Sequence, residues 1–211
     1  MNIENIKKQF PIFNNKVHNN DLVYLDSANS SQKPQVVVDR IYDFYTKEFS
    51  NVGRSVHYLA VAATNLYEET RSLVQKYINA KDPNEIVFTK GATEAINLVA
   101  NTFGQKFLKE GDEIILTELE HHSNYVPWHY LRRSKGVQIK FAEINSEGEI
   151  SLESIEKLIT SKTKMIAITH LSNVTGAILP IKEITQLAHS KNIPVLIDGC
   201  QGAPHLKLDM Q

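Results

Sequence analysis

The chain has 211 residues, 42% hydrophobic and 22% charged, and its 23 basic and 24 acidic side chains leave a net charge of −1. This is soluble, globular composition with enough apolar content for a sizeable core, and the near-neutral balance gives no electrostatic case for nucleic acid or an acidic membrane surface. No apolar run approaches the ~18 residues that span a bilayer, the start MNIENIKKQFPIF lacks signal-peptide features, and the single Cys200 excludes an intramolecular disulfide, so a cytoplasmic protein is expected.

In chain order, VYLD (23–26) is predicted as a short strand, and PQVVVDRIYDFYTKEF (34–49) and HYLAVAATNLYEETRSLVQKYI (57–78) as long helices. From about Glu85 short β-rich runs alternate with helical patterns. EIVFT (85–89), EIILT (113–117), QIKFAEI (138–144), KMIAITH (164–170) and PVLID (194–198) read as strands, being rich in Ile and Val and bounded by charged or turn residues. Between them, ATEAINLVANTFGQKFL, NYVPWHYLRRSKG, SLESIEKLITS and PIKEITQLAHSKN read as helices. Ala95, Leu98, Val99 and Thr102 share a face of the first. Pro127 and Pro180 sit near helix starts, and Ser151 is placed as an N-cap. No repeat, low-complexity tract or linker interrupts the pattern.

Strands alternating with helices imply right-handed crossovers and a mostly parallel sheet covered on both faces. In such sheets ligands bind beyond the carboxyl ends of the strands. The polar residues there are Thr89, Glu118, His170 and Asp198, followed by Thr93, His121, His122, Asn173 and Gln201. Four of the five strands thus deliver polar groups to one rim.

Each motif has two readings. In TKGATEAINL (89–98), Gly91 allows a tight turn, and the helix starting at about Ala92 offers free N–H groups, a positive dipole end and the Thr93 hydroxyl to a phosphate. Taken alone, the stretch is better explained as a glycine-turned, threonine-capped helix start that binds nothing. Neither a dinucleotide fingerprint nor a P-loop occurs. In LEHHSN (119–124), adjacent Glu120, His121 and His122 have no zinc-like spacing; a ring here either stacks on a flat ligand or bonds to backbone, and the stretch does not decide. Asp198, ending a buried strand, either caps a helix or holds a heterocycle's ring nitrogen protonated, with Gln201 donating to a neighbouring ring oxygen. The second pairing suits pyridoxal 5′-phosphate (PLP), an electron sink that needs a charged pyridinium.

Together these stretches resemble a known family. YLDSANSSQKP, FTKGATEAINLVAN, EHHSNYVPW, ITHLSNVTGAILPI and LIDGCQGAPH, in this order, are similar to the N-terminal part of a PLP-dependent cysteine desulfurase of the class V aminotransferase family, fold type I, nearest the branch serving SUF-type iron–sulfur cluster assembly. The resemblance implies an α/β large domain of the aspartate aminotransferase-like PLP-dependent transferase fold, its mostly parallel sheet incomplete at the C-terminus. Residues 1–211 then hold an N-terminal segment and most of that PLP-binding domain, without the C-terminal small domain. It implies that Ala92 and Thr93 bind the cofactor phosphate, and that His121 stacks on the pyridine and relays protons. Asp198 then pairs with the ring nitrogen, Gln201 lies near the phenolic oxygen, and Asn173 lies by the ring and the substrate carboxylate.

The family's Schiff-base lysine, in a Ser-Gly-His-Lys stretch, and its persulfide cysteine are expected beyond Gln211. Cys200 is read as a buried small residue rather than the nucleophile. Gly53, where the family usually has histidine, and Asn29 are departures. The resemblance implies L-cysteine as substrate, alanine as product, a SUF-type sulfur-acceptor protein and a homodimer once the missing half is present. The chain is expected to be truncated or split, inactive and marginally stable alone. A non-catalytic remnant or partner-docking module, and a selenocysteine lyase-like enzyme, are the alternatives.

Overall fold

Residues 2–211 are described by a computed structural model, in which the chain divides into one unit reaching to Ile86 together with Met210–Gln211 and a second unit, Val87–Asp209. In the first, helix α1 (Ile3–Lys7) begins where Asn2 Oδ1 accepts the N–H groups of Glu4 (3.1 Å) and Asn5 (3.4 Å), satisfying two donors that a helix start leaves open. Strands β1 (Lys16–Val17) and β2 (Asn20–Asp21) form a hairpin around His18 and Asn19, whose φ values of 50° and 66° give the doubly left-handed turn that matches strand twist. The strand predicted over 23–26 is absent. Val23 and Leu25 are exposed there, no strand pairs with the segment, and the Tyr24 hydroxyl reaches the carbonyls of Asp26 and Ser30 instead.

Helix α2 (Gln35–Asp43) continues as a π-helical turn, Phe44–Glu48, and α3 (Tyr58–Tyr77) fills the predicted 57–78. Among the described apolar residues of this unit only Ala60, Ala63, Ala80 and Ile86 are buried, while Val36, Ile41, Tyr42, Tyr45 and Phe49 stay exposed. No helix of the described residues is long and apolar enough to cross a membrane.

The second unit begins with α4 (Ala92–Val99), which runs through a π-helical turn, Ala100–Gly104, into α5 (Gln105–Phe107). Then alternate β3 (Glu113–Thr117), α6 (Val126–Lys135), β4 (Gln138–Ala142), α7 (Leu152–Glu156), β5 (Thr163–Thr169), α8 (Ile181–Ser190), β6 (Val195–Asp198) and α9 (Gly202–His205). The four strands pair in the order β4-β3-β5-β6, all parallel. The run 85–89 is no strand: it starts in a 3-10 turn at Pro83–Glu85, and no strand of the described residues pairs with it.

Period-2 alternation divides the core. Ile114, Leu116, Met165 and Ala167 point to one face, where Ile96, Ala100, Trp128 and Leu131 cover them; Ile115, Ile166 and Ile168 point to the other, against Ile155, Ile184 and Ala188. Burial on both faces is why these strands read as continuous apolar runs, and each fully buried Ile or Leu contributes roughly 1.5–3 kcal/mol. The crossover through α6 steps outward from β3 to β4, whereas those through α7 and α8 step the other way. Right-handed connection therefore sends α6 to one face and α7 and α8 to the opposite one.

Ser151 does cap α7, its Oγ accepting the N–H of Ser154 at 3.1 Å, and Pro127 lies in the first turn of α6. The buried face of 92–108 differs from the predicted one. Ile96, Ala100, Gly104 and Leu108 face inward, while Leu98 and Thr102 are exposed. The cause is close packing against α6: a Cβ on Gly104 would lie 2.5 Å from Leu131 Cδ1, so the smallest side chains must face that helix.

Candidate active site

Because the chain leaves β3 for β4 on one side and β5 for β6 on the other, the strand order reverses between β3 and β5. The crevice at their carboxyl ends is where an open α/β sheet binds ligands. Three residues past β3, Glu120 turns its carboxylate back over this junction. Its Oε1 accepts the Thr117 hydroxyl (2.6 Å) and the Thr169 N–H of β5 (3.0 Å), and its Oε2 accepts Asn124 Nδ2 (2.6 Å). Asn124 Oδ1 in turn accepts the indole N–H of the fully buried Trp128 at 3.0 Å. Burial pushes the Glu120 pKa up to about 6; the three hydrogen bonds oppose that shift, and the charge of Asp198 adds to it.

His121 follows directly. Its Nδ1 caps the 3-10 turn His122–Asn124 by accepting the Ser123 N–H at 3.2 Å, and lies 2.8 Å from Ser123 Oγ. The backbone-bonded form thus holds for one nitrogen, while the ring remains exposed and stands 88° to that of His122. Helix α4 packs against this turn. At its start, Gly91 has φ 157° and ψ 175°, a conformation open essentially to glycine alone, and no side chain caps the helix. Thr93 is exposed and is not the cap, and Glu94 reaches back past the helix start to accept the N–H of Lys90.

Asp198, last residue of β6, is 6% exposed, and its Oδ1 accepts the Cys200 N–H at 3.0 Å. Oδ2 has no hydrogen-bond donor and no cation beside it among the described residues. Gln201 is half-buried directly before α9, and Asn173 is exposed in the turn after β5, whose N–H groups at Val174 and Thr175 are held by Ser172. Glu118 is turned away, accepting the Ile144 N–H beyond β4. Cys200 is exposed, not buried as expected, because the turn bonded to Asp198 carries its side chain outward; packing and the Asp198 charge push its thiol pKa up. The described residues hold no cluster of three or more His, Cys, Asp or Glu suited to a metal ion.

The family model "Aminotransferase class-V" matches residues 23–211. The chain belongs to that family. Among relatives of this class-V aminotransferase chain, a probable cysteine desulfurase of Halalkalibacterium halodurans is 46% identical over 211 residues, 100% of this chain and 52% of the relative. A cysteine desulfurase of Serratia proteamaculans is 44% identical over 99% of the chain and 52% of its own length. The apo cysteine desulfurase of Thermococcus onnurineus superposes with a TM-score of 0.90 at 35% identity, over 98% of this chain and 49% of that one. For CsdA of Escherichia coli the values are 0.84, 35%, 99% and 51%. The fold is that of these cysteine desulfurase structures, and the chain spans about half the length of the relatives it matches.

Two features of this class-V aminotransferase site escape sequence reasoning. By residue type Glu120 suggests only a metal ligand; the available signal is its place just past a buried strand, four residues before Asn124 and eight before Trp128. The second is the meeting of His170 with Gly202. A Cβ at Gly202 would stand 2.7 Å from His170 Nδ1, an atom that is buried without a hydrogen-bond partner among the described residues. Burial lowers the His170 pKa.

Proposed function

We propose that residues 1–211 build the cofactor cradle of a cysteine desulfurase, with PLP seated at the rim formed by β3, β5 and β6. One observation carries this reading: Asp198 is a buried carboxylate with no cation beside it and an Oδ2 that no donor satisfies. That open oxygen at the strand end can take a charge-assisted hydrogen bond from a proton-bearing partner, and a protonated ring nitrogen is one. The wider support is membership of the class-V aminotransferase family and 46% identity to a probable cysteine desulfurase. A solved structure of the same fold, 24% identical, holds glycine covalently linked to its PLP cofactor.

The residues present fit the group. Asp198 keeps the ring nitrogen protonated, and Gln201 offers its amide to the phenolic oxygen. The N–H groups at Ala92 and Thr93, on a helix start that no side chain caps, take the phosphate. His121, exposed on its turn, would stack on the pyridine, and Nε2 would be the nitrogen that moves a proton, since Nδ1 is engaged by Ser123. Asn173 serves the substrate carboxylate. Bound there, the cofactor supplies an electron sink for bond cleavage at the substrate Cα and Cβ.

The sequence contains no Ser-Gly-His-Lys stretch. We infer that the lysine anchoring the cofactor and the cysteine receiving sulfur come from further residues, in the same or a second polypeptide, so that residues 1–211 do not turn over alone. L-Cysteine as substrate, a SUF-type acceptor, a homodimer and a cytoplasmic setting belong to this reading and draw on the motif order. The test is to combine residues 1–211 with the C-terminal half of the Halalkalibacterium halodurans relative and measure alanine from L-cysteine. Alanine formed only in the mixture is expected. Turnover of selenocysteine alone favours a lyase. A complex that forms with neither activity makes this a docking module.

A further inference from the structure

We propose that Glu120 is a positioning residue: one carboxylate that joins β3, β5 and the turn after His121, and so fixes where the His121 ring stands. The two ends of the His121 loop meet on it. Glu120 opens the loop, Asn124 closes it through Nδ2 to Oε2 (2.6 Å) and through its own N–H to the His121 carbonyl (2.8 Å), and Oε1 anchors the whole to the Thr169 N–H of β5 (3.0 Å). Thr117 adds its hydroxyl while accepting the Leu119 N–H (3.2 Å).

The donor pattern requires a carboxylate rather than an amide. The indole N–H of Trp128 only donates, so Asn124 must turn Oδ1 toward it and Nδ2 toward Glu120. Both oxygens of Glu120 therefore face donors. A glutamine there can satisfy Thr117 and Thr169 with its oxygen, but its NH2 then confronts the NH2 of Asn124, which cannot flip without abandoning Trp128.

This predicts a specific rescue. Glu120→Gln alone sets donor against donor, and Asn124→Asp alone sets carboxylate against carboxylate. The double variant lets the introduced glutamine donate to the introduced aspartate, which still accepts from Trp128, and every partner is satisfied again. The role of the ring at the cofactor rests on the function proposed above, so the test on residues 1–211 uses two readouts. NMR signals of the His121 ring, assigned by their loss in His121→Ala, report its position without cofactor. Titration with PLP, followed by absorbance and visible circular dichroism, reports the loaded site.

Glu120→Gln is expected to shift the His121 signals and weaken PLP binding roughly tenfold, the effect of one broken buried hydrogen bond. The double variant is expected to restore both. Unmoved His121 signals in Glu120→Gln, or a double variant no better than either single one, would overturn the proposal. If the wild-type chain takes up no PLP while the His121 signals follow the expected pattern, the cofactor reading fails and the positioning role stands.

Discussion

At the level of single side chains, the Glu120 carboxyl ties acidity to stability. Its folded pKa of about 6 lies above its ordinary 4.5 because burying the charge costs more than its three hydrogen bonds return; above about pH 6 it is the carboxylate that its donors call for. The stability it contributes is fully present below about pH 4.5 and is lost as pH rises through about 6, an amplitude of about 2 kcal/mol. Urea unfolding between pH 4 and pH 8 should show that slope in the wild type and lose it in Glu120→Gln. Gly202 offers a second test. Adding a methyl group in Gly202→Ala drives a Cβ into the His170 ring, and thermal unfolding should register a loss of about 1–3 kcal/mol, the usual cost of overpacking. Removing the ring as well, in Gly202→Ala with His170→Ala, should recover part of that loss; equal stability of the two variants would show that the ring is not the obstacle. Asp198 as a polar strand end was legible from the sequence. The His170–Gly202 approach was not, since a glycine's need for space is set by a neighbour 32 residues away.

At the level of elements, the segment 92–108 separates pattern from packing. Its apolar residues outline more than one face, and the buried one is Ile96, Ala100, Gly104 and Leu108 rather than Ala95, Leu98, Val99 and Thr102, because α6 approaches the small side chains. The two faces give opposite expectations. Leu98→Ala on the exposed side should stay within about 0.5 kcal/mol of wild type, whereas Ala100→Leu, on a residue 2% exposed, should cost about 1–3 kcal/mol. Equal effects in denaturant unfolding would refute this orientation. The strands at 113–117, 138–144, 164–170 and 194–198 were recognisable from β-branched runs alone, with ends moved by no more than two residues. Those at 23–26 and 85–89 carry comparable runs and form no strand, because a ladder needs a partner that composition does not specify.

For the chain as a whole, the burial pattern assigns stability unequally. Both apolar clusters lie between Ile96 and Ile193, whereas the unit reaching to Ile86 buries few apolar side chains. Amide hydrogen exchange should therefore find the slowest protons in β3 and β5 and much faster exchange over 2–86; uniform protection would contradict that division. By itself the sequence determined the alternation of strands and helices, the double burial of the sheet and the polar groups at the strand ends, because periodicity and local burial are written in neighbouring residues. Only the tertiary structure decided the order β4-β3-β5-β6, the crevice it opens between β3 and β5, the exposure of Cys200 and the bond from Glu120 to Thr169. Glu120 and Thr169 stand 49 positions apart, and which of many distant groups meets a given side chain depends on how successive crossovers lay the strands down, a choice no local pattern contains.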